Sequence, residues 1–228
     1  MIIKYVRPLR FAPSDFTPEG AVRPFVLLHI FQDVAGTHAA QNGMGFDDLI
    51  RQNLIWVITK LKYKILSPLR PDMDYRLESY PRRSGSLIYD RDFYILDGDG
   101  RELVVASSQW CVVDFVTRHV AQTGLDFPGE YTTRVALPEG IERLRPRDLT
   151  PAGRHTVTVE DLDANEHTNN CRYADMALRV LGMNSASTFT ISFASETRLG
   201  DEIELYTALG GVAAGKHDGA VVFTAKAE

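Results

Sequence analysis

The chain has 228 residues, of which 44% are hydrophobic, 10% aromatic and 24% charged, a composition typical of a globular protein with enough apolar residues for a core. Its formal net charge of −5 disfavours a generally basic nucleic-acid-binding protein. No apolar run reaches the roughly 18 residues that a membrane-spanning helix needs, so we expect no membrane span. At about 100–200 residues per domain, the length fits one large domain or two small ones.

The two cysteines, Cys111 and Cys171, lie far apart and form no CxxC pair. Their neighbours are apolar or helix-forming residues, which favours two reduced thiols over a disulfide or a zinc site. The N-terminal residues 1–7 have neither the apolar core nor the small-residue cleavage site of a signal peptide. We therefore expect a reducing compartment, with the cytoplasm as the default location.

The first half of the chain predicts one buried helix followed by long antiparallel strands. Residues 2–10 alternate loosely, as in a strand. Pro24 suits the first position of a helix, and the run from there to Gly36 is apolar around most of its circumference. A short helix is predicted at 46–52. Further strands are predicted at 54–65, 75–80, 87–96 and 102–114, with Asp97-Gly98-Asp99-Gly100 as the hairpin turn that joins the last two.

The strand that begins at Leu54 has a period of two. One face carries Val57, Thr59, Leu61, Tyr63 and Ile65, and the other carries Ile58, Lys60, Lys62 and Lys64. The lysines are therefore predicted on an exposed face, either simply solvated or as a local basic stripe.

The second half repeats the first pattern in shortened form. Residues 119–153 are interrupted by prolines and carry Arg143, Arg145 and Arg147, a composition that indicates a surface linker. A strand at 154–159, a helix at 171–181 that stops at Gly182, and strands at 189–193, 203–209 and 220–225 follow. The last two strands are predicted to be separated by a glycine-rich turn region.

Two successive units of strand, helix and sheet predict an internal duplication. A sheet wrapped around one apolar helix is the hotdog arrangement, so the predicted fold class is α+β, a tandem (double) hotdog. We assign residues 1–118 to an N-terminal hotdog. Residues 119–153 form the linker, and 154–228 form a C-terminal hotdog.

The densest polar segment is Glu160-Asp161-Leu162-Asp163-Ala164-Asn165-Glu166-His167-Thr168-Asn169-Asn170, between a predicted strand and helix. A calcium loop is excluded, because Glu166 stands where that loop needs glycine and Arg172 where it needs a bidentate glutamate. Helix capping by Thr168, Asn169 or Asn170 explains part of the segment. A histidine that exchanges protons beside a carboxylate and an amide explains the alternation of Asp163, Asn165 and His167. Spacing alone leaves capping and catalysis equally supported.

Residues 163–173 resemble the D-x-N-x-H-x-N-N-x-x-Y signature of fatty acyl-ACP thioesterases. Further matching segments occur in the same order along the first half: Trp56-Val57-Ile58, Tyr80-Pro81-Arg82, Arg91-Asp92-Phe93, and Ser108 with Trp110, Asp114, Thr117 and Arg118. The matches extend from about residue 24 to residue 200. The resemblance implies a tandem hotdog that hydrolyses fatty acyl-[acyl-carrier-protein], releases free fatty acid and ends chain elongation. It also implies an acyl-chain pocket, which we assign to the N-terminal hotdog of residues 1–118.

The resemblance assigns the catalytic set to Asp163, Asn165, His167 and Glu196, and it implies no metal or organic cofactor. Thr197 stands where plant members carry a cysteine once proposed as nucleophile, which favours attack by water. We expect Glu196 or His167 to act as general base, Asn165 to orient the water or the substrate, and Asp163 to hold the loop. Backbone N–H groups at the start of the following helix are expected to stabilise the oxyanion.

Strand parity places Glu196 on the face opposite Phe189, Ile191 and Phe193. Its approach to His167 therefore requires sheet curvature or a bulge.

The implied partner is acyl carrier protein, which is acidic and would dock on basic residues. Candidates are the Lys60/Lys62/Lys64 stripe, Arg82-Arg83 and the Arg143/Arg145/Arg147 cluster. A homodimer is also an expectation, because hotdog proteins commonly assemble through their sheet edges. The alternatives are an acyl-CoA thioesterase of the same architecture, a non-catalytic acyl-binding module, and a hotdog hydratase that adds water to an enoyl thioester.

Overall fold

A computed structural model describes residues 2–83, 85 and 87–228, and its helices and strands follow the predicted order. The helices are α1 (Pro24–Gln41), α2 (Phe46–Ile50) and α3 (Asn170–Leu181). The strands are β1 (Tyr5–Arg10), β2 (Leu54–Ile65), β3 (Asp74–Pro81), β4 (Tyr89–Leu96), β5 (Glu102–Asp114), β6 (Thr150–Thr156), β7 (Thr188–Phe193), β8 (Glu202–Ala208), β9 (Val212–His217) and β10 (Ala220–Ala227). Short 3-10 turns occupy Pro13–Asp15 and Val159–Asp161.

The chain divides into two compact units. The first unit consists of Met1–Pro13 and His29–Ile141, and the second unit of Ser14–Leu28 and Glu142–Glu228. The strands of the first unit pair in the order β1-β3-β4-β5-β2, and those of the second unit in the order β7-β10-β9-β8-β6. Every pairing within each unit is antiparallel. The predicted duplication is therefore visible as two antiparallel sets of five strands, one in each unit.

Helix α1 buries one face and leaves His29, Asp33 and Gly36 exposed on the other, so the predicted burial around most of its circumference is only partly confirmed. The side chains of Leu27, Leu28, Phe31 and Val34 are fully buried. The helix runs past the expected end at Gly36 to Gln41, because the residues beyond the glycine include strong helix formers and bury Ala39. An interior glycine costs only about 1 kcal/mol relative to alanine, and the burial that follows it offsets that cost.

Strand β2 contains a bulge that changes which residues share a face. Ile58 pairs with Trp110 and Lys60 with the neighbouring Gln109, so Thr59 is the extra residue of the bulge. Ile58 therefore joins the core face and is buried, although strict alternation placed it with the lysines.

The prediction that the lysines of β2 lie on an exposed face is wrong for Lys62, whereas Lys60 and Lys64 are partly exposed. The side chain of Lys62 is buried, and its Nζ lies 3.7 Å from Glu139 Oε1. Lys64 Nζ contacts the same oxygen at 2.5 Å. Lys62 is therefore buried beside a carboxylate instead of being solvated, since a buried ammonium needs such a partner.

Strand β9 lies where the sequence predicts only a glycine-rich turn region. Its small residues and internal Gly215 give it little of the usual strand signal. A Cβ at Gly215 would collide with the ring of Phe223 on β10, so glycine is needed there for the close approach of the two strands. The Asp218-Gly219 pair, by contrast, does form the predicted turn between β9 and β10.

Strand β6 also begins earlier than predicted, at Thr150 instead of residue 154. It pairs with β8 from Thr150 to Thr156, with an irregularity between Pro151 and Gly153 that accommodates the proline at the edge of the sheet. Residues 121–149, which the structure describes in full, contain no helix or extended strand, as their prolines predict.

Helix α3 begins and ends at the predicted signals. The side chain of Asn169 accepts a hydrogen bond from the backbone N–H of Cys171 at 2.9 Å, and Gly182 ends the helix in the left-handed conformation with φ of 67°. The apolar face of the helix packs against the second-unit sheet, where the Tyr173 ring stacks on Phe223 with centroids 5.2 Å apart. Capping and packing together fix the position of the loop that precedes the helix.

Loss of the cap should destabilise the protein measurably. We expect Asn169→Ala to lower the free energy of unfolding by about 1 kcal/mol, because the N–H of Cys171 loses its acceptor. Urea unfolding followed by circular dichroism measures the change. Asn169→Asp keeps a side-chain acceptor and should stay within a few tenths of a kcal/mol of the parent. Equal losses in the two variants would contradict the capping role.

Candidate active site

The segment from residue 162 to residue 168 forms a closed loop around one carboxylate. Asp163 Oδ1 accepts hydrogen bonds from the backbone N–H groups of Asn165 at 2.8 Å and His167 at 3.2 Å. The backbone N–H of Asp163 donates to the carbonyl oxygen of His167 at 2.8 Å. Glu166 adopts a positive φ of 61°, which turns the chain back toward Asp163. The geometry gives Asp163 the loop-holding contacts expected of it, while Asn165 lies exposed on the same turn.

His167 and Glu196 meet across this loop. His167 Nε2 lies 3.4 Å from Glu196 Oε2, and the side chains are 16% and 47% accessible. The backbone brings them together, because His167 forms an isolated antiparallel bridge with Arg198 and the N–H of Thr168 donates to the carbonyl oxygen of Thr197 at 2.8 Å. A partly accessible imidazole beside a carboxylate is suited to proton transfer.

The approach of Glu196 depends on an irregularity at the end of β7. The strand ends at Phe193, and the N–H groups of Ala194 and Ser195 both donate to the carbonyl oxygen of Val222, at 2.8 and 3.3 Å. Two consecutive residues therefore share one acceptor, and strand alternation stops before Glu196 is reached. The alternation of faces along β7, which places Glu196 opposite Phe193, consequently does not hold as far as Glu196.

A buried hydroxyl cluster lies directly behind the pair. Thr197, 1% exposed, places its Oγ1 2.7 Å from Thr168 Oγ1 and 3.0 Å from the hydroxyl of Tyr173. Burial raises the pKa of Tyr173, so its hydroxyl stays protonated in this cluster. Thr168 and Thr197 directly follow His167 and Glu196 in the chain. The cluster therefore ties together the two backbone segments that carry the pair, a role that the sequence did not reveal.

A second histidine–carboxylate pair supports the base of the loop. Asp161 Oδ2 accepts hydrogen bonds from the N–H and hydroxyl of Thr158, at 2.9 and 3.0 Å, and lies 2.8 Å from His155 Nε2. Burial alone would raise the pKa of Asp161, but these hydrogen bonds outweigh it and hold that pKa below its usual value. The carbonyl oxygen of Asp161 accepts from the N–H of Asn169 at 2.8 Å, which links this pair to the cap of α3.

The first turn of α3 leaves one backbone donor unused. The N–H of Cys171 is bonded to the Asn169 side chain and that of Arg172 to the Asn169 carbonyl oxygen, at 2.9 and 2.8 Å. The N–H of Asn170 has no acceptor in the described part of the chain. Unused N–H groups at a helix N-terminus are suited to binding developing negative charge.

The first unit contains an open cleft with an empty volume of about 530 Å³. Its walls are mainly aromatic and aliphatic, with Trp56, Trp110, Leu125 and Phe127 among the lining residues. Helix α1 contributes only small residues, which leaves the space open: Ala35, Gly36 and Ala39. The largely apolar lining, with a few polar side chains, is typical of a binding site for an apolar group.

Arg91 forms a buried polar wall of this first-unit cleft. Its side chain is 5% exposed, and its Nη1 lies 2.9 Å from Ser79 Oγ and 3.1 Å from His38 Nδ1. Its guanidinium also lies 5.2 Å from the centre of the Phe127 ring. Burial lowers the pKa of His38 to about 4, assisted by the positive charge of Arg91, and burial also lowers the pKa of Arg91 to about 9. At neutral pH the histidine is therefore neutral and the arginine charged.

The buried His38 should make folding sensitive to mild acid. Below about pH 6.5 the unfolded chain protonates this histidine, but the folded protein resists protonation until about pH 4. Stability present above pH 6.5 is therefore lost as the pH falls through this window. We expect a loss of about 1–2 kcal/mol from this residue between pH 7 and pH 4.5, measured by urea unfolding. His38→Gln keeps an acceptor for Arg91, and its free energy of unfolding should fall by about 1–2 kcal/mol less than that of the parent between pH 7 and pH 4.5. The same fall in the parent and the variant would contradict the role of His38.

The predicted basic docking residues differ in how far they are already paired. Lys62 and Lys64 contact Glu139, and Arg82 Nε lies 3.8 Å from Asp92 Oδ2. Arg83 lies over the ring of Tyr131, with 5.7 Å from its guanidinium to the centroid. The members of the remaining cluster are exposed and form no ion pair with any described residue: Arg143, Arg145 and Arg147. It is the predicted group whose charge is least neutralised.

Neither cysteine takes part in the candidate site. Both are buried and no disulfide joins them, and burial raises the pKa of the Cys111 thiol. Across the described ranges, no group of three or more histidine, cysteine, aspartate or glutamate side chains is placed to hold a metal ion. Within the same residues, no helix combines the length and the apolar character needed to cross a membrane.

Comparison with known families gives consistent matches along the chain. Residues 7–131 match the model of the acyl-ACP thioesterase N-terminal domain, and residues 149–224 match that of the acyl-ACP thioesterase C-terminal domain. A chloroplastic palmitoyl-acyl carrier protein thioesterase of Arabidopsis thaliana is 24% identical over 208 residues, which are 82% of this chain and 50% of that protein. A chloroplastic acyl-[acyl-carrier-protein] hydrolase of Cuphea viscosissima is 23% identical over 203 residues, 80% of this chain and 49% of that protein. The chain spans about half the length of these curated relatives.

Solved structures show the same fold. An acyl-ACP thioesterase from Bacteroides thetaiotaomicron superposes with a TM-score of 0.89 at 22% identity, covering 98% of this chain and 96% of that one. A 12:0-ACP thioesterase from Umbellularia californica superposes with a TM-score of 0.80 at 19% identity, covering 99% and 96%. The α+β double hotdog predicted from the sequence is thereby confirmed.

Proposed function

Because the chain belongs to the acyl-ACP thioesterase family, we propose that it hydrolyses fatty acyl-[acyl-carrier-protein], releasing free fatty acid and ending chain elongation. The observation that carries the proposal is the 3.4 Å approach of His167 Nε2 to Glu196 Oε2 beside the 162–168 loop. The pair joins two residues that lie far apart in the sequence. It supplies a proton acceptor next to an accessible surface, which hydrolysis by water requires.

In the proposed reaction a water molecule attacks the thioester carbonyl carbon. The His167–Glu196 pair removes a proton from the water, and either member serves as the general base. Asn165 orients the water or the substrate, and Asp163 holds the loop through its two backbone hydrogen bonds. When the tetrahedral intermediate collapses, the carbon–sulfur bond breaks and the thiol of the carrier receives the proton.

The unused N–H of Asn170 is the donor that we assign to the developing oxyanion. It lies in the first turn of α3, three residues after His167, and the helix dipole adds to its attraction for negative charge. The sequence predicts only that backbone N–H groups at the start of this helix bind the oxyanion. We assign that role to Asn170 alone, because the N–H groups of Cys171 and Arg172 already donate to Asn169.

We further propose that the first-unit cleft holds the acyl chain. Its aromatic and aliphatic lining suits a flexible hydrocarbon. We propose residues 1–118 as the hotdog that binds the chain, 119–153 as a linker and 154–228 as the hotdog that carries Asp163, Asn165, His167 and Glu196. The cleft is also lined by three residues of the proposed linker: Leu125, Phe127 and Tyr131. These boundaries remain a proposal.

Acyl carrier protein is the proposed macromolecular partner. The exposed cluster of Arg143, Arg145 and Arg147 is the favoured docking region, because no described carboxylate neutralises it. A cytoplasmic location and a homodimer remain proposals; the first is supported by two cysteines without a disulfide, which are typical of a reducing compartment.

Product analysis on saturated acyl-ACPs of several chain lengths tests the proposed function. We expect free fatty acid and unacylated carrier, with a kcat/KM for acyl-ACP well above that for acyl-CoA of the same length. A preference for acyl-CoA would favour the acyl-CoA thioesterase, and acyl binding without turnover would favour the binding module. Turnover confined to enoyl thioesters, with the thioester bond intact, would favour the hydratase.

A further inference from the structure

Arg91 is a buried cation without a buried anion. Its side chain is 5% exposed, yet no carboxylate of a described residue lies within ion-pair distance of its guanidinium. Its polar neighbours are the neutral His38, the hydroxyl of Ser79 and Tyr131, whose own hydroxyl donates to Asp126. The ring of Phe127 is its apolar neighbour. Buried charges in proteins are normally paired, so this arrangement calls for an acceptor from outside the chain.

The guanidinium still has donors to offer. Of its five N–H groups, those on Nη1 serve Ser79 and His38. Among the described residues, the polar side-chain atoms that are sealed from solvent without a partner are Tyr94 Oη and Ser192 Oγ. Nε and Nη2 of Arg91 donate to no side chain or carbonyl of a described residue. The open space that Arg91 borders is the first-unit cleft.

The other charged groups at the cleft are already engaged. Asp90 Oδ1 accepts a hydrogen bond from Gln109 Nε2 at 3.0 Å, and Arg82 lies beside the buried Asp92. The rest of the wall is mainly aromatic and aliphatic. The cleft thus combines an apolar body with one directed cation, a combination suited to an amphipathic ligand.

We propose that the first-unit cleft binds an aliphatic chain through an oxygen that accepts hydrogen bonds from Arg91, so that its preferred ligand carries a carboxylate, hydroxyl or keto oxygen. A bare hydrocarbon in the cleft would displace water from Nε and Nη2 and leave these donors unpaired, which disfavours binding. An oxygen acceptor restores the hydrogen bonds, and a carboxylate also neutralises the charge.

The identity of the chain as an acyl group rests on the proposed function, whereas the requirement for an oxygen rests on Arg91 alone. The oxygen has two sources in that reaction. It belongs either to a substituted acyl chain of the substrate or to the carboxylate of the released fatty acid. Both present the same acceptor chemistry to the guanidinium.

Calorimetric titration with three ten-carbon probes tests the site without reference to catalysis. Decanoate and 1-decanol carry an oxygen acceptor, and decyltrimethylammonium carries a cation in its place. We expect the parent protein to bind decanoate most tightly and the ammonium most weakly. Arg91→Met should weaken decanoate binding about tenfold or more, the scale of a charge-assisted hydrogen bond. The control is Arg154→Met, which removes an arginine that pairs with Glu202 in the second unit and should leave the affinity for decanoate within about twofold.

Several outcomes would overturn the inference. They are an unchanged affinity of Arg91→Met for decanoate, no binding of any probe to the parent protein, and a preference of the parent for the ammonium probe. Circular dichroism establishes that each variant is folded. If Arg91→Met does not fold, Arg91→Lys takes its place. It keeps the charge but loses the forked donors, and we expect about threefold weaker binding, with an unchanged affinity again contradicting the proposal.

Kinetics separate the two sources of the oxygen. If the oxygen belongs to the substrate, kcat/KM for 3-oxodecanoyl- or 10-hydroxydecanoyl-ACP exceeds that for decanoyl-ACP about tenfold, and Arg91→Met abolishes the gain. If it belongs to the product, decanoate inhibits the parent, and the inhibition constant rises about tenfold in Arg91→Met. The absence of both effects overturns the inference. If no acyl-ACP is hydrolysed, the proposed function fails, and the calorimetric result still decides whether Arg91 selects an oxygen-bearing chain.

Discussion

Replacing His167 with alanine, or Glu196 with glutamine, should lower the turnover of a saturated acyl-ACP by about a hundredfold or more. That is the scale on which a positioned general acid–base group contributes. Each substitution breaks the contact between His167 Nε2 and Glu196 Oε2. Because the two side chains act as one unit in the proposed reaction, the double variant should be little worse than the poorer single variant. Steady-state release of free fatty acid provides the measurement.

The second unit offers a matched control for this experiment. His217 on β9 also lies near carboxylates, with its Nε2 3.7 Å from Asp201 Oδ2 and 3.6 Å from Asp218 Oδ2. His217→Ala removes a comparable histidine–carboxylate contact outside the candidate site and should leave turnover within about twofold. Near-normal hydrolysis by His167→Ala would remove the basis for the proposed mechanism. Equal losses in His167→Ala and His217→Ala would point to a loss of fold instead.

Thr197→Val should lower kcat about tenfold to a hundredfold while leaving KM nearly unchanged. The substitution keeps the shape of the side chain but removes the hydroxyl between Thr168 Oγ1 and the Tyr173 hydroxyl. The segments that carry His167 and Glu196 then lose their buried link, and a displacement of about 1 Å in an active site can cost about a hundredfold in rate. We also expect a loss of about 2 kcal/mol in stability, because buried hydroxyls are left with fewer partners.

Two further variants separate this positioning effect from a general loss of stability. Thr197→Ser restores the hydroxyl and should recover most of kcat. Thr190→Val removes a buried threonine hydroxyl of β7, away from the candidate site, that donates to Glu142 Oε1 at 3.1 Å. This variant should lower the free energy of unfolding with little change in kcat. A Thr197→Val enzyme with normal kcat, or a Thr190→Val enzyme with the same kinetic defect, would contradict a positioning role for Thr197.

Features governed by neighbouring residues were predictable from the sequence. Helix α3 begins after an asparagine cap and ends at a left-handed glycine, and both signals act within one turn of the helix. The hairpin turn after β4 is equally local, since Asp97 Oδ1 accepts from the N–H groups of Asp99 and Arg101, at 3.1 and 2.9 Å. The resemblance to a known family named the site residues, because the D-x-N-x-H spacing is itself a local pattern.

Features governed by distant partners were not predictable. Lys62 is buried because Glu139 contacts it from far along the chain, and no count of alternating residues contains that information. The meeting of Glu196 with His167 depends on the shared acceptor at Val222, which belongs to another strand. The family resemblance placed Glu196 in the site, but parity alone argued against it. Arg91 was recognised only as part of a matching segment, since its burial follows from packing that no motif describes.

The division of the chain constrains the order in which its parts can fold during synthesis. Residues 14–28 belong to the second unit, whose other residues begin only at Glu142. At about 5–20 residues per second, a ribosome makes the remainder of that unit many seconds after this early segment has emerged. The first unit can fold before the rest of the second unit has been synthesised. The early segment includes Phe25, whose ring lies 4.8 Å from the Arg172 guanidinium in the folded second unit. Folding of the second unit is therefore completed only after translation has passed through α3. A fragment that starts at the linker would lack residues 14–28, which belong to the second unit.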